Sequence, residues 1–160
     1  MAATRYKKRR PRILIAGLGN VLLQDDGVGV HAVWELQKDP PPGVLVAEVG
    51  VAVLGALHLL EWADKVLAID AMQAGGAPGA IYVFGPEDVA EPEFQASLHE
   101  VGLRAALRFV PQAAPEIRVL GVEPAVIDYG LELTPEVAAA LPRLVKAARE
   151  MVEKWREEGR

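Results

Sequence analysis

The sequence predicts an α/β domain: a three-layer sandwich built on a five-stranded, mostly parallel, twisted sheet with one antiparallel edge strand. Three observations predict it. Apolar runs such as Ile13 to Ala16 alternate with stretches of helical periodicity in the order βαβαββαβα. Those runs are nearly continuous, as strands buried on both faces require. The connection ahead of residues 79–84 is too short for a helical crossover, so that strand pairs antiparallel at an edge.

Each element has its own reason. Residues 12–18 form the first strand and lead into a glycine-rich turn that runs Gly17-Leu-Gly-Asn-Val-Leu-Leu-Gln-Asp-Asp-Gly-Val-Gly-Val30. Gly29, Ala32, Val33 and Leu36 recur at helical spacing, so a helix spans residues 26–37, stops at Asp39-Pro-Pro-Pro-Gly43 and carries Asp25 and Asp26 at its N-terminus. Residues 44–49 form a second strand, and Val53, Ala56, Leu57 and Leu60 mark a short helix ending near Trp62. Residues 65–71 form the third strand, which delivers Asp70 to its C-terminal end before a flexible loop over residues 72–78. Residues 79–84 are the antiparallel edge strand. Residues 85–98 form an aperiodic loop that ends at His99, and a helix covers residues 100–109. Residues 116–122 are the fifth strand, followed by Glu123-Pro124. Thr134-Pro135-Glu136 then opens the last helix, with Thr as cap and Pro at the first position. That helix runs to about Trp155, bends at Pro142 and buries Val137, Leu141, Leu144, Val145 and Ala148.

Composition narrows the function classes. With 160 residues and 51% hydrophobic content, residues 12–160 make one domain able to bury about two-thirds of its unfolded surface. Residues 1–11 read as a solvated, disordered basic tail. Six Lys and Arg, from Arg5 to Arg12, lie ahead of Ile13, and the remaining 11 bases face 22 acids, leaving a body of net −11 beyond Arg12. Such a body lacks the basic face that phosphate contacts need, so no nucleic-acid partner is expected. No stretch has the apolar core of a secretory signal or the length of a membrane span, which points to the cytoplasm and no membrane partner. There is no cysteine, Ser97 is the one serine, and Thr4 and Thr134 are the only threonines, so side-chain nucleophiles are almost absent. Scarce Asn, Ser and Cys also fit a heat-adapted protein.

Ligands of an open α/β sheet gather outside the carboxyl ends of its strands, where Asp26, Asp70 and Glu123 project and where His99 could fold over them. Carboxylates with one imidazole suit a borderline divalent ion such as Zn or Ni and leave positions open for water or substrate. Ordinary roles stand beside each of these. Asp25 fits a helix cap, Asp26 divides evenly between cap and ligand, and Asp70 could cap the next turn. Glu123 could be a turn residue, His99 a cap or a packing residue, and His31 and His58 ordinary helix residues. Familiar templates fail. The third glycine of a dinucleotide loop is replaced by Leu22, His99-Glu100 has no second histidine at Leu103, and no G-x-S-x-G elbow exists. Asp25-Asp26-Gly27 is not a paired aspartic-protease signature, although Asp26 with Asp70 is a carboxylate pair that separate loops could bring together.

The glycine turn, Ile69-Asp70-Ala71, Ser97-Leu-His99-Glu-Val-Gly-Leu103 and Gly121-Val-Glu-Pro124, in that order, closely resemble the nickel-iron hydrogenase maturation peptidases over residues 12–148. The resemblance implies a phosphorylase- or hydrolase-like sandwich and an endopeptidase that removes a short C-terminal extension from a hydrogenase large-subunit precursor after nickel insertion. It puts the family's metal-contacting and catalytic positions on Asp26, Asp70 and His99, with nickel supplied by the precursor and another divalent ion such as Zn able to substitute in vitro. A monomer is expected. Two mechanisms stay open: nickel activates carbonyl or water, or Asp26 or Asp70 acts as general base while nickel serves as a handle. One departure concerns partner choice, since the family's Asp-Gly-Gly-Thr type segment reads here Glu48-Val49-Gly50-Val51. The rival readings are a non-catalytic nickel- or nucleotide-binding module of hydrogenase assembly and a phosphorylase-like hydrolase.

Overall fold

A computed structural model describes residues 9–90 and 115–158. Its strands are β1 (Ile13–Leu18), β2 (Val44–Gly50), β3 (Lys65–Ala71), β4 (Ile81–Phe84) and β5 (Glu116–Val122). They form one sheet in the order β2-β1-β3-β5-β4, parallel throughout except for β4, which runs antiparallel to β5 at the edge. Burial explains the order. Every residue of β1 is buried and only the first of β3 is not, whereas the edge strands β2 and β4 contain no fully buried residue.

The helices are α1 (Val28–Lys38), α2 (Leu57–Trp62), α3 (Pro86–Ala90) and α4 (Pro135–Glu158). Several boundaries differ from expectation: β4 begins at Ile81 and not at residue 79, and Val53–Ala56 is a 3-10 turn ahead of α2. Residues 26–37 do not form one uniform helix, because Gln24–Gly27 is a separate 3-10 turn that hands on to α1. The expected aperiodic stretch after β4 begins with the single-turn α3, where Pro86 opens the helix and Asp88 accepts a hydrogen bond from the Gly85 amide at 2.9 Å. The expected helix at 100–109 lies outside the described residues. α4 continues through Pro142 and buries Ala140, Val152 and Trp155 in addition to Val137, Leu144 and Ala148, while Leu141 and Val145 are only partly covered.

Alternate strand residues feed two cores. Ile13, Ile15, Leu67, Ile69, Leu120 and Val122 face α1 and α4, packing on Val33, Leu36, Leu144 and Trp155. Leu14, Ala16, Val66, Ala68 and Val119 face the opposite side with Leu60 of α2. The sheet is thus covered on both faces, the three-layer arrangement that its continuous apolar strands demand. No helix among the described residues is long and apolar enough to cross a membrane.

This topology fixes where a site can form. From β1 the chain crosses by α1 to β2 on one side, and from β2 by α2 to β3 on the other. The direction of winding reverses between β1 and β3, so a crevice opens there at the carboxyl ends. Asp26 follows β1 and Asp70 ends β3.

Candidate active site

The close approach of α1 to the sheet begins with two glycines. A Cβ on Gly29 would collide with the Ile69 carbonyl oxygen and stand 2.6 Å from that of Leu18, so only a bare backbone lets the start of α1 settle between the ends of β1 and β3. Gly19 is tighter still. Its φ of +106° lies in the region that favours glycine, and a Cβ there would strike the Asp26 carbonyl oxygen and lie 3.3 Å from Asp70 Oδ1. Asp26 and Asp70 therefore share Gly19 as a neighbour, at the crevice.

Both carboxylates are buried, with exposures of 1% for Asp26 and 0% for Asp70. Each takes a backbone N–H: Asn20 donates to Asp26 Oδ2 at 3.0 Å, and Ala71 donates to Asp70 Oδ1 at 2.8 Å. Bonds of this kind satisfy carboxylate oxygens that burial removes from water. The β2 side closes on the same turn. One extra residue of β2 between the partners of Gly17 and Leu18 sets Gly50 beside Leu18, and the Gly50 carbonyl accepts the Gly19 N–H at 3.2 Å. Glu48 of the atypical segment accepts the Trp34 indole N–H at 2.9 Å.

Asp25, expected as a cap of α1, does something else. The residue preceding α1 is Gly27, with no side-chain cap. The buried Asp25 carboxylate instead accepts N–H donors from Ala125 at 2.8 Å, Val126 at 3.0 Å and Thr134 at 2.8 Å, and the Thr134 hydroxyl at 2.8 Å. It ties the turn to the loop between β5 and α4. The neighbouring Gln24 adopts φ +50°, a strained conformation for a residue with a Cβ. Its amide donates to the Gly130 carbonyl at 2.9 Å and its side chain to that of Tyr129 at 3.3 Å. The segment carrying Asp26 is thus pinned from both sides.

Glu123 also serves structure. Its carboxylate receives the Ala74 N–H at 3.0 Å and, more distantly, the Tyr82 hydroxyl at 3.5 Å, fastening the glycine-containing loop after β3. His58 is exposed on α2. His31 packs edge-on against Trp34 with ring centroids 5.0 Å apart, and burial holds its pKa below the usual value against the opposing pull of Asp25. His99 lies outside the described residues. Among the described residues no group of three His, Asp or Glu side chains is arranged to hold a metal ion. Sequence reasoning missed the fourfold anchoring by Asp25, because its partners stand about a hundred residues away in the chain.

Comparison with known proteins agrees with this architecture. The hydrogenase expression/formation protein HupD of Bradyrhizobium diazoefficiens is 29% identical over 90% of this chain and 79% of its own length. The hydrogenase 2 maturation protease of Escherichia coli is 32% identical over 87% of this chain and 92% of its own. The solved structure of the hydrogenase maturating endopeptidase HybD from E. coli superposes with a TM-score of 0.79 at 28% identity, covering 89% of this chain and 93% of that one. The family model for hydrogenase maturation proteases matches residues 30–151, most of the chain, and the protein is therefore a peptidase that belongs to that family.

Proposed function

We propose that the protein cleaves the C-terminal extension from a nickel-iron hydrogenase large-subunit precursor in the cytoplasm, after nickel has been inserted, and that Asp26, Asp70 and His99 contact the nickel carried by that substrate. The observation that supports this reading is that the Asp26 main chain and the Asp70 carboxylate both lie against Gly19 at the winding reversal of the sheet, with both aspartates buried. Two carboxylate donors joined by an imidazole make a set that a borderline divalent ion such as nickel accepts, and zinc would compete for it in vitro.

Water is the nucleophile in this mechanism. The chain has no cysteine, and the one Ser or Thr hydroxyl among the described residues, that of Thr134, is committed to Asp25. Contact with the substrate's nickel places the scissile peptide in the crevice, where the metal's charge favours addition of water to the carbonyl carbon. One of the crevice carboxylates takes the proton that this water loses and returns it to the departing amine. Precursor without nickel lacks the group that Asp26, Asp70 and His99 hold, so it does not dock productively. Metal insertion thereby becomes a condition of cleavage.

The test is intact-mass measurement on a large-subunit precursor incubated with this protein, with and without prior nickel loading. Loss of a C-terminal peptide from the loaded form alone is the expected result. Cleavage of both forms alike would refute the metal checkpoint, and cleavage of neither would refute the proposed reaction for that precursor and favour a binding role.

A further inference from the structure

Four large apolar side chains stand exposed beside the crevice: Leu22 (58% exposed), Val126 (42%), Tyr129 (87%) and Leu131 (67%). They come from two segments, the glycine turn and the loop between β5 and α4, which are knitted together. Gly130 donates its N–H to the Leu22 carbonyl at 2.9 Å, Leu23 bridges Gly130, and the Asp25 carboxylate holds Ala125, Val126 and Thr134. Their exposure is therefore fixed by the fold. An aromatic residue on a loop fastened at both ends makes a pre-organised anchor, which loses little entropy when a partner covers it. The ridge is also continuous with the candidate catalytic turn, because Leu22 and Asp26 belong to the same nine-residue span from Gly19 to Gly27.

Charge specifies what fits there. No Lys or Arg occurs in residues 19–37 or 119–142, the two stretches that build and flank the ridge. In the same two stretches the side chains of Asp128, Glu132 and Glu136 are exposed, and Asp25, Asp26 and Glu123 are buried. An apolar surface in a field of one sign attracts a partner that pairs apolar side chains with the opposite charge and repels an acidic one.

We propose that this ridge docks the precursor's C-terminal region next to the scissile bond, as an extended stretch in which apolar side chains alternate with Lys or Arg. The inference rests on the peptidase reading above and adds the contact that selects the substrate. Tyr129 and Leu131 hold the apolar side chains, and Asp128 and Glu132 hold the cationic ones.

Steady-state cleavage of nickel-loaded precursor tests it, alongside binding of a fluorescein-labelled peptide of the precursor's C-terminal region to Asp70→Asn protein, which is expected to bind without cleaving. Tyr129→Ala with Leu131→Ala is expected to raise KM about tenfold and leave kcat within about twofold, the signature of lost uniform binding, with Tyr129→Phe restoring most of it. Asp128→Lys with Glu132→Lys is expected to raise KM by a similar factor and to abolish the rise of KM with salt expected of the native protein. Thermal melts establish that the variants fold. If native protein cleaves and both double variants keep the native KM and peptide affinity, the docking surface is wrong and the peptidase reading stands. If native protein cleaves nothing but the peptide binds and the ridge variants abolish that binding, the ridge stands and the peptidase reading falls.

Discussion

The two edges of the sheet carry the same kind of residue in opposite settings. At the amino ends of the strands, Asp64 accepts the Arg12 N–H at 2.7 Å and pairs with the Arg9 and Arg12 guanidinium groups at 3.3 and 3.6 Å. Glu116 sits between Lys65 at 2.8 Å and Arg118 at 3.3 Å, and both cations also lie over the Trp155 ring. At the carboxyl ends, Asp25, Asp26, Asp70 and Glu123 are buried and receive main-chain N–H groups. A carboxylate balanced by Lys or Arg is already neutralised. For one held by main-chain amides, the hydrogen bonds offset the cost of its burial. The first edge serves stability, and at the second Asp25 and Glu123 hold loops in place while Asp26 and Asp70 are the candidates for chemistry.

The strongest way to break that contrast is to neutralise the crevice carboxylates without changing their shape. Asp26→Asn and Asp70→Asn are each expected to lower cleavage of nickel-loaded precursor by about a thousandfold or more, roughly 4 kcal/mol of transition-state stabilisation. Their melting temperatures should stay near the native value, since Asn can still accept the Asn20 or Ala71 N–H. Native cleavage rates in either variant, with folding confirmed by circular dichroism, would remove the crevice from the mechanism.

Asp25 sharpens the comparison from within one turn. It is adjacent to Asp26 in sequence, yet its oxygens hold Ala125, Val126 and both donors of Thr134. Asp25→Ala leaves those donors without their acceptor and is expected to cost about 3 kcal/mol, seen as a lower urea midpoint. Neighbouring carboxylates would then separate cleanly, with Asp26 governing rate and Asp25 governing stability. A stability loss for Asp26→Asn as large as that for Asp25→Ala would erase the distinction.

How far the sequence foretold this depends on the distance over which each feature is encoded. β3 and β5 were legible to the residue, because an apolar run bounded by turn residues is a local signal. The antiparallel placement of β4 was legible from a connection too short for a crossover. Asp26 and Asp70 were legible as candidates because a strand's carboxyl end is a local address in a parallel sheet. Their sharing of Gly19 was not, since it depends on a close approach between β1, β3 and α1 that no single stretch records. The tasks of Asp25 and Glu123 were hidden for the same reason: Asp25 meets Thr134 across 109 residues, and Glu123 meets Ala74 across 49.

The smallest effect belongs to the charge-paired edge, and its pH dependence has a definite sign. The hydrogen bond from Lys65 holds the Glu116 pKa below its ordinary 4.5 despite the opposing effect of burial, helped by the charges of Lys65 and Arg118. A carboxyl group whose folded-state pKa is depressed adds stability that is fully present above the unfolded value and is lost as pH falls through the folded one. Both side chains of the Lys65–Glu116 pair are partly solvated, at 22% and 32% exposure, so the contribution at neutral pH is about 0.5–1 kcal/mol. Glu116→Gln should therefore lower stability by that amount in urea melts at pH 7, and the gap from the native protein should close as the pH drops below 4.5. Added salt should narrow the gap at pH 7, while kcat for precursor cleavage stays unchanged. A gap that persists at low pH would assign the loss to packing around Trp155 instead of charge. The amino edge would then no longer be distinguished by ion pairing, although the amide-held carboxylates of the opposite edge would keep their role.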